Sequence, residues 1–577
     1  MAKQDLILIH APSVYDFRKE FLFYGPVSDL VPSTPVFEMY PFGFMTLAAH
    51  LHRLGHKVRI VNLASMMLND PKLDVPSFLE RLDADVFGID LHWLPHAHGS
   101  LAVAGILKEL HPDSKVLFGG YSSTYYHQEL VRYPQVDLVM RGDSTEVPVA
   151  ELLSALEKDD DLGKVQNLTW KDGRGVHENP FTFVPEDIDY IEVDYGWIIR
   201  SVLRHRDLEG HKPFKDWDRY PLTAAFTVRG CNQQCLVCGG CNSAMKGFLG
   251  RSRPAFRSPE KVAQDIRNIQ DYLKAPTFVV GDVRSAGKKY AERFFSEAKA
   301  LGIDNPVVLE LFVPADQDFF RSASTAFHNY SIEFSPDSHD EEVRYALGRR
   351  FDTASMEKTV QLALENGCKR FDLFFMIGLP RQTRESALES ARYAKRLHEL
   401  TSNDKALFVF ESPLAPFLDP GSYAFEHAEE VGYCLLARTL EEHRTRLASP
   451  SWKYVLSYET EWMTRDQIVD VSYDAADELN RARNECHLID SQELGLRLER
   501  TDMARKMMRD IDQAMAIEDE DGRRARFEDL REKGRELMES TICRKSDLEW
   551  ETSGVFKSLP RAMIGLVRTK GRRKRSR

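Results

Sequence analysis

The stretch LTAAFTVRGCNQQCLVCGGC, residues 222–241, decides the fold of this chain. Its first half is a run of small and β-branched residues that predicts a β-strand, and its second half is a loop with four cysteines. The first three, Cys231, Cys235 and Cys238, have the spacing C-x3-C-x2-C. Three thiolates on one loop can hold three irons of a [4Fe–4S] cluster and leave the fourth iron open for a ligand.

The fourth cysteine of the loop, Cys241, leaves two other interpretations open. The run Cys235-x2-Cys238-x2-Cys241 is also the first part of a ferredoxin-type motif, and four cysteines can close a structural zinc site. No Cys-Pro pair follows, as a ferredoxin module would need, and structural zinc usually takes two cysteine pairs that lie far apart. The open three-cysteine cluster is therefore favoured. The isolated cysteines are interpreted as small apolar residues, and they are Cys368, Cys434, Cys486 and Cys543.

Behind the cysteines, strand and helix signals alternate in the order of a (β/α) barrel. The predicted strands are TFVVGDVRS, NPVVLELFVP, NYSIEFSPDS, KRFDLFFMIGLP and KALFVFESPL, with amphipathic segments between them. This pattern predicts a partial (β/α) barrel over residues 216–460. In such barrels the functional residues lie at the carboxyl ends of the strands, where the cysteine-bearing loop also begins.

The first 155 residues show the same alternation and predict a doubly wound α/β domain with a parallel sheet. Ligands of such sheets bind beyond the carboxyl ends of the strands. Small and polar residues stand at those predicted ends, in the segments 62–65, 90–92, 119–122 and 142–144.

The segments behind and around the cysteines resemble the radical SAM superfamily. RGCNQQCLVC at 229–238 is similar to the cluster loop of that family, and SIEFSPDSHDEEVRYALGRR and FFMIGLPRQT are similar to its fourth- and fifth-strand segments. The resemblance implies that S-adenosylmethionine (SAM) binds the open iron and is cleaved by one electron to a 5′-deoxyadenosyl radical. It implies SAM contacts at Gly281 and Asp282 for the amino group, Glu333 or Ser335 for the ribose, and Ile377, Gly378, Leu379 and Pro380 for the adenine. Two departures are Val237, where an aromatic residue is usual, and Asp282, where the family has Glu.

The first 155 residues resemble the cobalamin-binding domain that precedes many radical SAM enzymes. YPFGFMTLAAHLHRLGHKVRIVN, LFGGYSS and VDLVMRGDSTEVP are similar to segments of that domain, in the same order. The resemblance implies cobalamin contacts at the strand ends, by Asn62, Ser65, Gly119, Gly120, Tyr121, Ser122, Gly142 and Asp143.

One motif of other cobalamin proteins is missing from this chain. The DxHxxG loop, whose histidine binds cobalt, does not follow the first strand, and Asp90-Leu91-His92 is out of place for it and lacks the glycine. His92, His96 and His98 could ligate a metal, but histidines in a loop are more often solvated. We therefore expect no histidine on the lower face of the cobalt.

The resemblance implies a radical SAM enzyme that methylates an unactivated carbon with the help of cobalamin. Two alternatives stay open: radical cyclisation, rearrangement or coupling without methyl transfer, and a non-catalytic iron–sulfur protein of electron transfer whose cluster is closed by four cysteines. The substrate, whether a small molecule, a lipid or a peptide, is not identified. An external one-electron reductant of the flavodoxin or ferredoxin type is expected.

Four segments are predicted along the chain. They are the α/β domain at 1–155, a linker at 156–215 with a β-hairpin around Asp172-Gly173, the barrel at 216–460, and a helical region at 461–577. One interpretation of the helical region is that it covers the barrel mouth. The chain ends in the basic tail KGRRKRSR, residues 570–577, which is either a solvated tail or a contact with anionic lipid or nucleic acid.

The composition is that of a globular protein and excludes several classes. Hydrophobic residues make up 43% of the 577 residues and charged residues 29%, which argues against global disorder. The net charge of −12 argues against an electrostatic nucleic-acid binder. No run of 18 apolar residues predicts a membrane span, and the N-terminal MAKQDLILIHAPS is read as a strand. The chain has eight cysteines, and four of them lie in one tight cluster. This usage suggests a reducing compartment, which we take to be the cytoplasm.

Overall fold

The computed structural model describes residues 3–30, 33–534, 541–550, 552, 554–558 and 560–563. The basic tail at 570–577 lies outside the described residues. Within the described part, two large sheets follow one another along the chain, and helices cover both. The predicted α/β fold class, with a doubly wound N-terminal domain, a partial barrel and a helical C-terminal region, is confirmed.

The first sheet has the order β2-β1-β3-β4-β5-β6-β7, and the pairs from β2 to β5 are parallel. Leu6 and Ile7 are neighbours on opposite faces of β1, and both are buried because helices cover the two faces. The strands are β1 (Gln4–His10), β2 (Val58–Asn62), β3 (Ala84–Asp90), β4 (Lys115–Gly119), β5 (Leu138–Met140), β6 (Leu168–Asp172) and β7 (Gly175–Glu178). The helices are α1 (Gly43–Arg53), α2 (Leu63–Asn69), α3 (Val75–Glu80), α4 (Ala97–Leu110), α5 (Tyr121–Tyr125), α6 (His127–Leu130) and α7 (Glu146–Lys158).

The order of the first sheet fixes where a ligand can bind. From β1 the chain passes to β2 on one side and then to β3 on the other, so the crossover direction reverses between β1 and β3. Such a reversal leaves a crevice at the carboxyl ends of the strands. His10 and Asp90 are the last residues of these two strands.

The predicted hairpin forms, and it extends the first sheet. Strands β6 and β7 pair antiparallel across the turn at Gly173, and β6 pairs antiparallel with β5. The first sheet therefore continues beyond residue 155, and helix α8 (Tyr195–His205) follows it. The four segment boundaries stay predictions.

The second sheet has the order β15-β14-β13-β12-β11-β8, with every neighbouring pair parallel. Ile332 and Phe334 of β13 pack in the apolar core under the helices, and the intervening Glu333 lies on the inner face of the curved sheet. The strands are β8 (Thr223–Phe226), β11 (Thr277–Val280), β12 (Val307–Leu311), β13 (Tyr330–Asp337), β14 (Arg370–Ile377) and β15 (Leu407–Pro413), and a short pair is β9 (Val228–Arg229) with β10 (Ala255–Phe256). The helices are α9 (Asn242–Phe248), α10 (Pro259–Tyr272), α11 (Lys288–Ala300), α12 (Gln317–Ala326), α13 (Glu341–Leu347), α14 (Thr353–Glu365) and α15 (Arg384–Leu400).

Helices dominate the described residues after the barrel. The elements are α16 (Tyr423–Glu426), β16 (Tyr433–Leu435), α17 (Leu440–Leu447), α18 (Trp452–Val455), β17 (Tyr458–Thr460), α19 (Arg465–Glu485), α20 (Ser491–Met515) and α21 (Glu520–Gly534). A Thr464–Gln467 capping box starts α19, which packs along α15 and β15.

The interpretation that this helical region covers the barrel mouth is wrong for its segment 541–550 and stays a prediction for the rest of the region. Arg370 is the first residue of β14, and its guanidinium donates to the carbonyl oxygen of Glu549 at 2.7 Å. The indole of Trp550 donates to Asp372 at 3.3 Å. The segment 541–550 therefore lies at the amino ends of the strands, opposite the cysteine-bearing loop.

The isolated cysteines are not all core residues. Cys368, Cys486 and Cys543 are buried as predicted, whereas Cys434 is exposed. The prediction for Cys434 is wrong because this residue is the middle one of β16 in a two-stranded ribbon, where successive side chains alternate between faces, and the side chain of Cys434 is on the exposed face. Among the described residues, no helix is long and apolar enough to cross a membrane.

Candidate functional site

The loop at residues 230–241, called the cysteine loop below, is fixed by backbone contacts on two sides. The N–H of Leu236 donates to the carbonyl oxygen of Leu347 at 2.9 Å, and the N–H of Gly239 donates to the carboxylate of Asp419 at 2.9 Å. The loop follows the first barrel strand, so it lies at the carboxyl ends of the barrel strands as predicted.

The four sulfur atoms of the loop have different partners. The sulfurs of Cys231 and Cys238 each accept a backbone N–H from two residues further along, both at 3.3 Å. The sulfur of Cys241 instead lies 3.1 Å from the hydroxyl oxygen of Ser243, and its side chain is buried. Cys241 thus has a partner of its own. Burial raises the pKa of Cys235 to about 11, so a thiolate at this position needs a nearby positive charge, which a metal ion can supply.

The spacing of the sulfurs argues against a zinc site. Zinc–sulfur bonds of about 2.3 Å in a tetrahedron place ligand sulfurs about 3.8 Å apart. Among the described histidine, cysteine, aspartate and glutamate side chains, His10, His92 and His96 form the one group of three whose ligand atoms lie within 4.8 Å of one another. The wider spacing of the cysteines suits a cubane cluster, whose ligand sulfurs bind separate irons.

An arginine that the sequence analysis did not single out lies beside the cysteine loop. The side chain of Arg349 is 11% exposed, and its Nε donates to Asp337 at 2.7 Å. Its positive charge lowers the pKa of Cys235 against the stronger effect of burial. The preceding Gly348 has φ of +103°, and a Cβ there would lie 2.3 Å from the carbonyl oxygen of Gln234 in the cysteine loop.

The acid predicted to bind the SAM amino group is engaged elsewhere. Both carboxylate oxygens of Asp282 accept hydrogen bonds from the side chain of Arg284, at 2.9 and 2.5 Å, and one also accepts the N–H of Phe312. The N–H of Gly281 donates to Glu310 at 2.7 Å. Glu310, one strand further along, is therefore the acid with a free carboxylate oxygen at this position among the described residues.

A row of acids lines the inner face of the barrel. Glu310, Glu333 and Asp372 are partners in the register of β12, β13 and β14. Asp372 is paired with Arg370, but Glu333 makes no hydrogen bond within the described part, and burial beside two like charges raises its pKa. Ser335 lies two residues above Glu333 on the same face, so the two predicted ribose contacts point into the barrel.

The predicted adenine segment, residues 377–380, is a rigid turn. Gly378 has φ of +96°, and the amide oxygen of Gln382 accepts the N–H groups of Gly378 and Leu379 at 2.8 and 3.2 Å. The hydroxyl of Tyr433 donates to the carbonyl oxygen of Gly378 at 2.8 Å. The N–H groups of Gly378 and Leu379 and the carbonyl oxygen of Gly378 therefore have hydrogen-bond partners within the chain, so this turn can form a rigid wall of a binding site.

A cavity of about 310 Å³ opens at the carboxyl ends of β1, β3, β4 and β5. The predicted cobalamin residues on its wall are Gly119, Gly120, Tyr121, Gly142 and Asp143. The apolar part of the wall includes Leu8, Phe44, Leu47, Leu117, Met140 and Val149. Gly120 has φ of +115°, and a Cβ there would lie 2.4 Å from the Cα of His92.

The remaining predicted cobalamin residues do not line this cavity. Asn62 caps α2 by accepting the N–H of Ser65 at 3.0 Å, and its amide nitrogen donates to the carbonyl oxygens of Glu38 and Lys212. Ser65 and Ser122 are buried outside the cavity wall. The structure therefore gives Asn62 a capping role, and cobalamin contacts at these three positions stay predictions.

The cavity and the cysteine loop are joined by two contacts. The carboxylate of Asp419 accepts the N–H of Gly239 and lies beside the indole of Trp93, which directly follows His92. Arg229, immediately before the cysteine loop, lines the cavity and donates to Glu146 at 3.3 Å. The ligand-binding edges of the two sheets therefore face each other.

Residues 30–152 match the family described as the B12 binding domain, and residues 226–394 match the Radical SAM superfamily. This chain is a radical SAM protein with an N-terminal B12-binding domain. The match to the radical SAM family includes the cysteine loop and the strands from β9 to β14 with their predicted SAM residues.

Two relatives and one solved structure resemble this radical SAM protein. The anaerobic magnesium-protoporphyrin IX monomethyl ester cyclase of Synechocystis sp. is 27% identical over 46% of this chain and 49% of that protein. The hopanoid C-3 methylase of Methylococcus capsulatus is 25% identical over 43% of this chain and 44% of that protein. The chain thus spans about half the length of these two relatives. The radical S-adenosylmethionine methyltransferase TsrM from Kitasatospora setae has a similar fold, with a TM-score of 0.57 at 15% identity over 85% of this chain and 90% of that one.

The two families imply a [4Fe–4S] cluster, SAM and cobalamin, and the residues present fit all three groups. Thiols on one loop with separated sulfurs suit a cluster. The free oxygen of Glu310 beside the N–H of Gly281 suits an amino group. The cavity of the B12-binding domain has apolar walls and a glycine at its mouth, which suits a flat heterocycle that must approach the backbone closely.

Several of these residues were missed from the sequence. An acid within the otherwise apolar strand VVLEL was a signal for Glu310, because an inward-facing acid in a barrel strand is unusual. Arg349, Trp93 and Asp419 gave no comparable signal, since they act through contacts between segments that are distant along the chain.

Glu310→Gln tests the role of that acid through pH. Burial, and secondarily the nearby Asp282, raise the pKa of Glu310 to about 7, so its carboxylate forms as the pH rises through 7. We expect SAM to bind the reconstituted wild-type protein more tightly at pH 8 than at pH 6. The variant should bind SAM about 10- to 100-fold more weakly at pH 8 and lose this pH dependence. Anaerobic calorimetric titration measures both, and an unchanged pH profile in the variant would remove Glu310 from the SAM site.

Proposed function

We propose that this protein is a cobalamin-dependent radical SAM methyltransferase that acts on an unactivated carbon. The observation that carries the proposal is the contact between the two ligand-binding edges around Asp419, which accepts the N–H of Gly239 and lies beside Trp93, whose ring packs edge-on against Phe417 at 5.6 Å between centroids. A substrate bound at this junction would be within reach of both cofactors. The methylases among the similar proteins support the same reaction type.

The cofactors carry the hard chemistry: a reduced cluster supplies the electron that cleaves SAM, and cobalamin supplies a carrier for the methyl group. In our proposal Cys231, Cys235 and Cys238 hold three irons of the cluster. Glu310 accepts a hydrogen bond from the SAM amino group, and Glu333 and Ser335 contact the ribose. The turn at 377–380 forms the wall against the adenine.

The substrate proposed for this site is largely apolar. A cavity of about 500 Å³ lies between the first domain, α8 and the start of the barrel, and its wall is almost entirely apolar. Val280, at the carboxyl end of β11 beside Gly281, is 41% exposed there, and Phe42 belongs to the walls of both this cavity and the cobalamin cavity. An apolar group in this space would lie next to both predicted cofactor sites.

The chemistry also requires partners. Radical SAM enzymes need an external reductant, for which we propose a flavodoxin or ferredoxin. The eight cysteines all lie in the described part and form no disulfide, which supports the reducing cytoplasm as the compartment. A contact of the basic tail with anionic lipid or nucleic acid remains a further proposal.

The test is the product pair formed from SAM. Anaerobically reconstituted protein with reductant and cobalamin is incubated with SAM, and 5′-deoxyadenosine and S-adenosylhomocysteine are quantified by mass spectrometry. We expect both products, because one SAM is cleaved reductively and a second donates its methyl group. 5′-Deoxyadenosine alone would contradict methyl transfer and favour cyclisation, rearrangement or coupling.

A further inference from the structure

His92 lies at the mouth of the cobalamin cavity. It follows β3 by two residues and forms part of the cavity wall, and its side chain is 30% exposed. The backbone of Gly120 runs directly against that of His92, so the imidazole position is set by the two strand ends together.

A carboxylate fixes the tautomer of this histidine. Nδ1 of His92 lies 2.6 Å from an oxygen of Asp90, and because an ionised carboxylate only accepts, Nδ1 carries the proton. Nε2 lies on the opposite side of the ring and keeps its lone pair. No residue in the described ranges forms a hydrogen bond to this nitrogen.

The carboxylate is itself held in place by a second histidine. Nδ1 of the buried His10 lies 2.9 and 3.1 Å from the two oxygens of Asp90, and Nε2 of His10 lies 3.0 Å from the carbonyl oxygen of Phe37. Both ring nitrogens of His10 face acceptors, so it is a cation. His10 and His92 together keep the pKa of Asp90 far below its usual range, in spite of burial. A carboxylate that orients a histidine is the usual outer contact of a metal-binding imidazole.

The three neighbouring histidines do not form a separate metal site. Ligand atoms of His10, His92 and His96 lie within 4.8 Å of one another. Both nitrogens of His10 are already bonded, to Asp90 and to Phe37, and His96 is buried with Nδ1 at 3.3 Å from a backbone carbonyl oxygen. Nε2 of His96 also makes no hydrogen bond within the described residues, but His96 is buried and does not line the cavity, whereas His92 does. The arrangement therefore favours His92 as a ligand for a metal that arrives within a larger cofactor.

We propose that Nε2 of His92 is an axial ligand of the cobalt when the cavity binds cobalamin. The inference rests on the proposed function, because it requires that this cavity takes a corrinoid. It replaces the sequence-based expectation that no histidine lies on the lower face of the cobalt. The ligand comes from the loop after β3 and not from the loop after β1.

Electron paramagnetic resonance of the bound cob(II)alamin tests this inference without an activity assay. The protein is produced with ¹⁵N-histidine, loaded with unlabelled cobalamin and reduced to the Co(II) state. A ¹⁵N axial ligand splits the cobalt signal into doublets, whereas the unlabelled nucleotide base of cobalamin would give triplets. We expect doublets in the wild-type protein, and their loss in His92→Ala.

His98→Ala is the matched control, because this histidine lies in the same segment and its ring accepts a backbone N–H outside the cavity wall. It should keep the doublets. Triplets, or no nitrogen splitting, in wild-type protein that retains cobalamin would overturn the inference and leave the proposed function intact. Protein whose optical spectrum shows no retained corrinoid after desalting would overturn both. If His92→Ala does not fold, doublets in the unmutated protein still show a histidine ligand, and their absence still overturns the inference.

Discussion

Alanine at Cys231, Cys235 or Cys238 is expected to abolish the cluster and with it the cleavage of SAM. Each sulfur would bind a different iron, so the loss of one leaves two protein ligands for the cluster. Anaerobic reconstitution should load wild-type protein with about four irons per chain and each variant with less than about one. Formation of 5′-deoxyadenosine should fall below about 0.1% of the wild-type rate, because the three cysteines act as one unit and the loss of any one of them removes the function of the cluster.

Cys241→Ala is the control for these variants. Its sulfur lies 3.1 Å from the hydroxyl of Ser243 and belongs to the same loop, but the proposed site does not use it. The variant should keep about four irons and the wild-type rate of SAM cleavage. Loss of the cluster in Cys241→Ala would indicate a cluster closed by four cysteines and would favour the electron-transfer alternative.

Gly120→Ala is expected to destroy cobalamin binding. At φ of +115° an alanine is strained, and its Cβ would lie 2.4 Å from Cα and 2.6 Å from N of His92, which are backbone atoms that cannot rotate away. The loop after β3 must therefore move at the mouth of the cavity. We expect the cobalamin affinity to fall by at least about 30-fold, equivalent to about 2 kcal/mol, in a titration followed by the corrinoid spectrum.

The matched control is Gly105→Ala. This glycine lies within α4 of the same domain, and its Cβ would meet no described heavy atom outside the helix within 4 Å. Alanine there should stabilise the helix by about 0.5–1 kcal/mol and leave cobalamin affinity unchanged. Equal cobalamin affinity in the two variants would show that the mouth of the cavity does not contact the cofactor.

Local sequence patterns were enough to predict the sheets and the cysteine loop. Strands of the barrel are short apolar runs between amphipathic helices, and the loop after the first of them is marked by cysteines three and four residues apart. These features depend on neighbours along the chain. The hairpin was also predicted correctly from Asp172-Gly173, although the glycine with positive φ in the structure is Gly175, at +135°, and not Gly173.

Contacts between distant segments could not be predicted in the same way. Asp282 stands where the resemblance implies a SAM contact, yet Arg284 binds its carboxylate, and Glu310 from the next strand accepts the N–H of Gly281. Asn62 likewise follows a strand as expected but caps a helix. In both cases a side chain that suits a ligand chemically is used by the chain itself, and this choice depends on packing in three dimensions.

The measurement that tests the central claim most directly is the effect of SAM on the spectrum of the reduced cluster. Reconstituted wild-type protein and Cys241→Ala are reduced, and electron paramagnetic resonance spectra are recorded with and without SAM. The account predicts that SAM changes the cluster signal in both proteins, because three cysteines leave one iron open to it. A cluster that forms normally but whose spectrum SAM leaves unchanged would contradict the account.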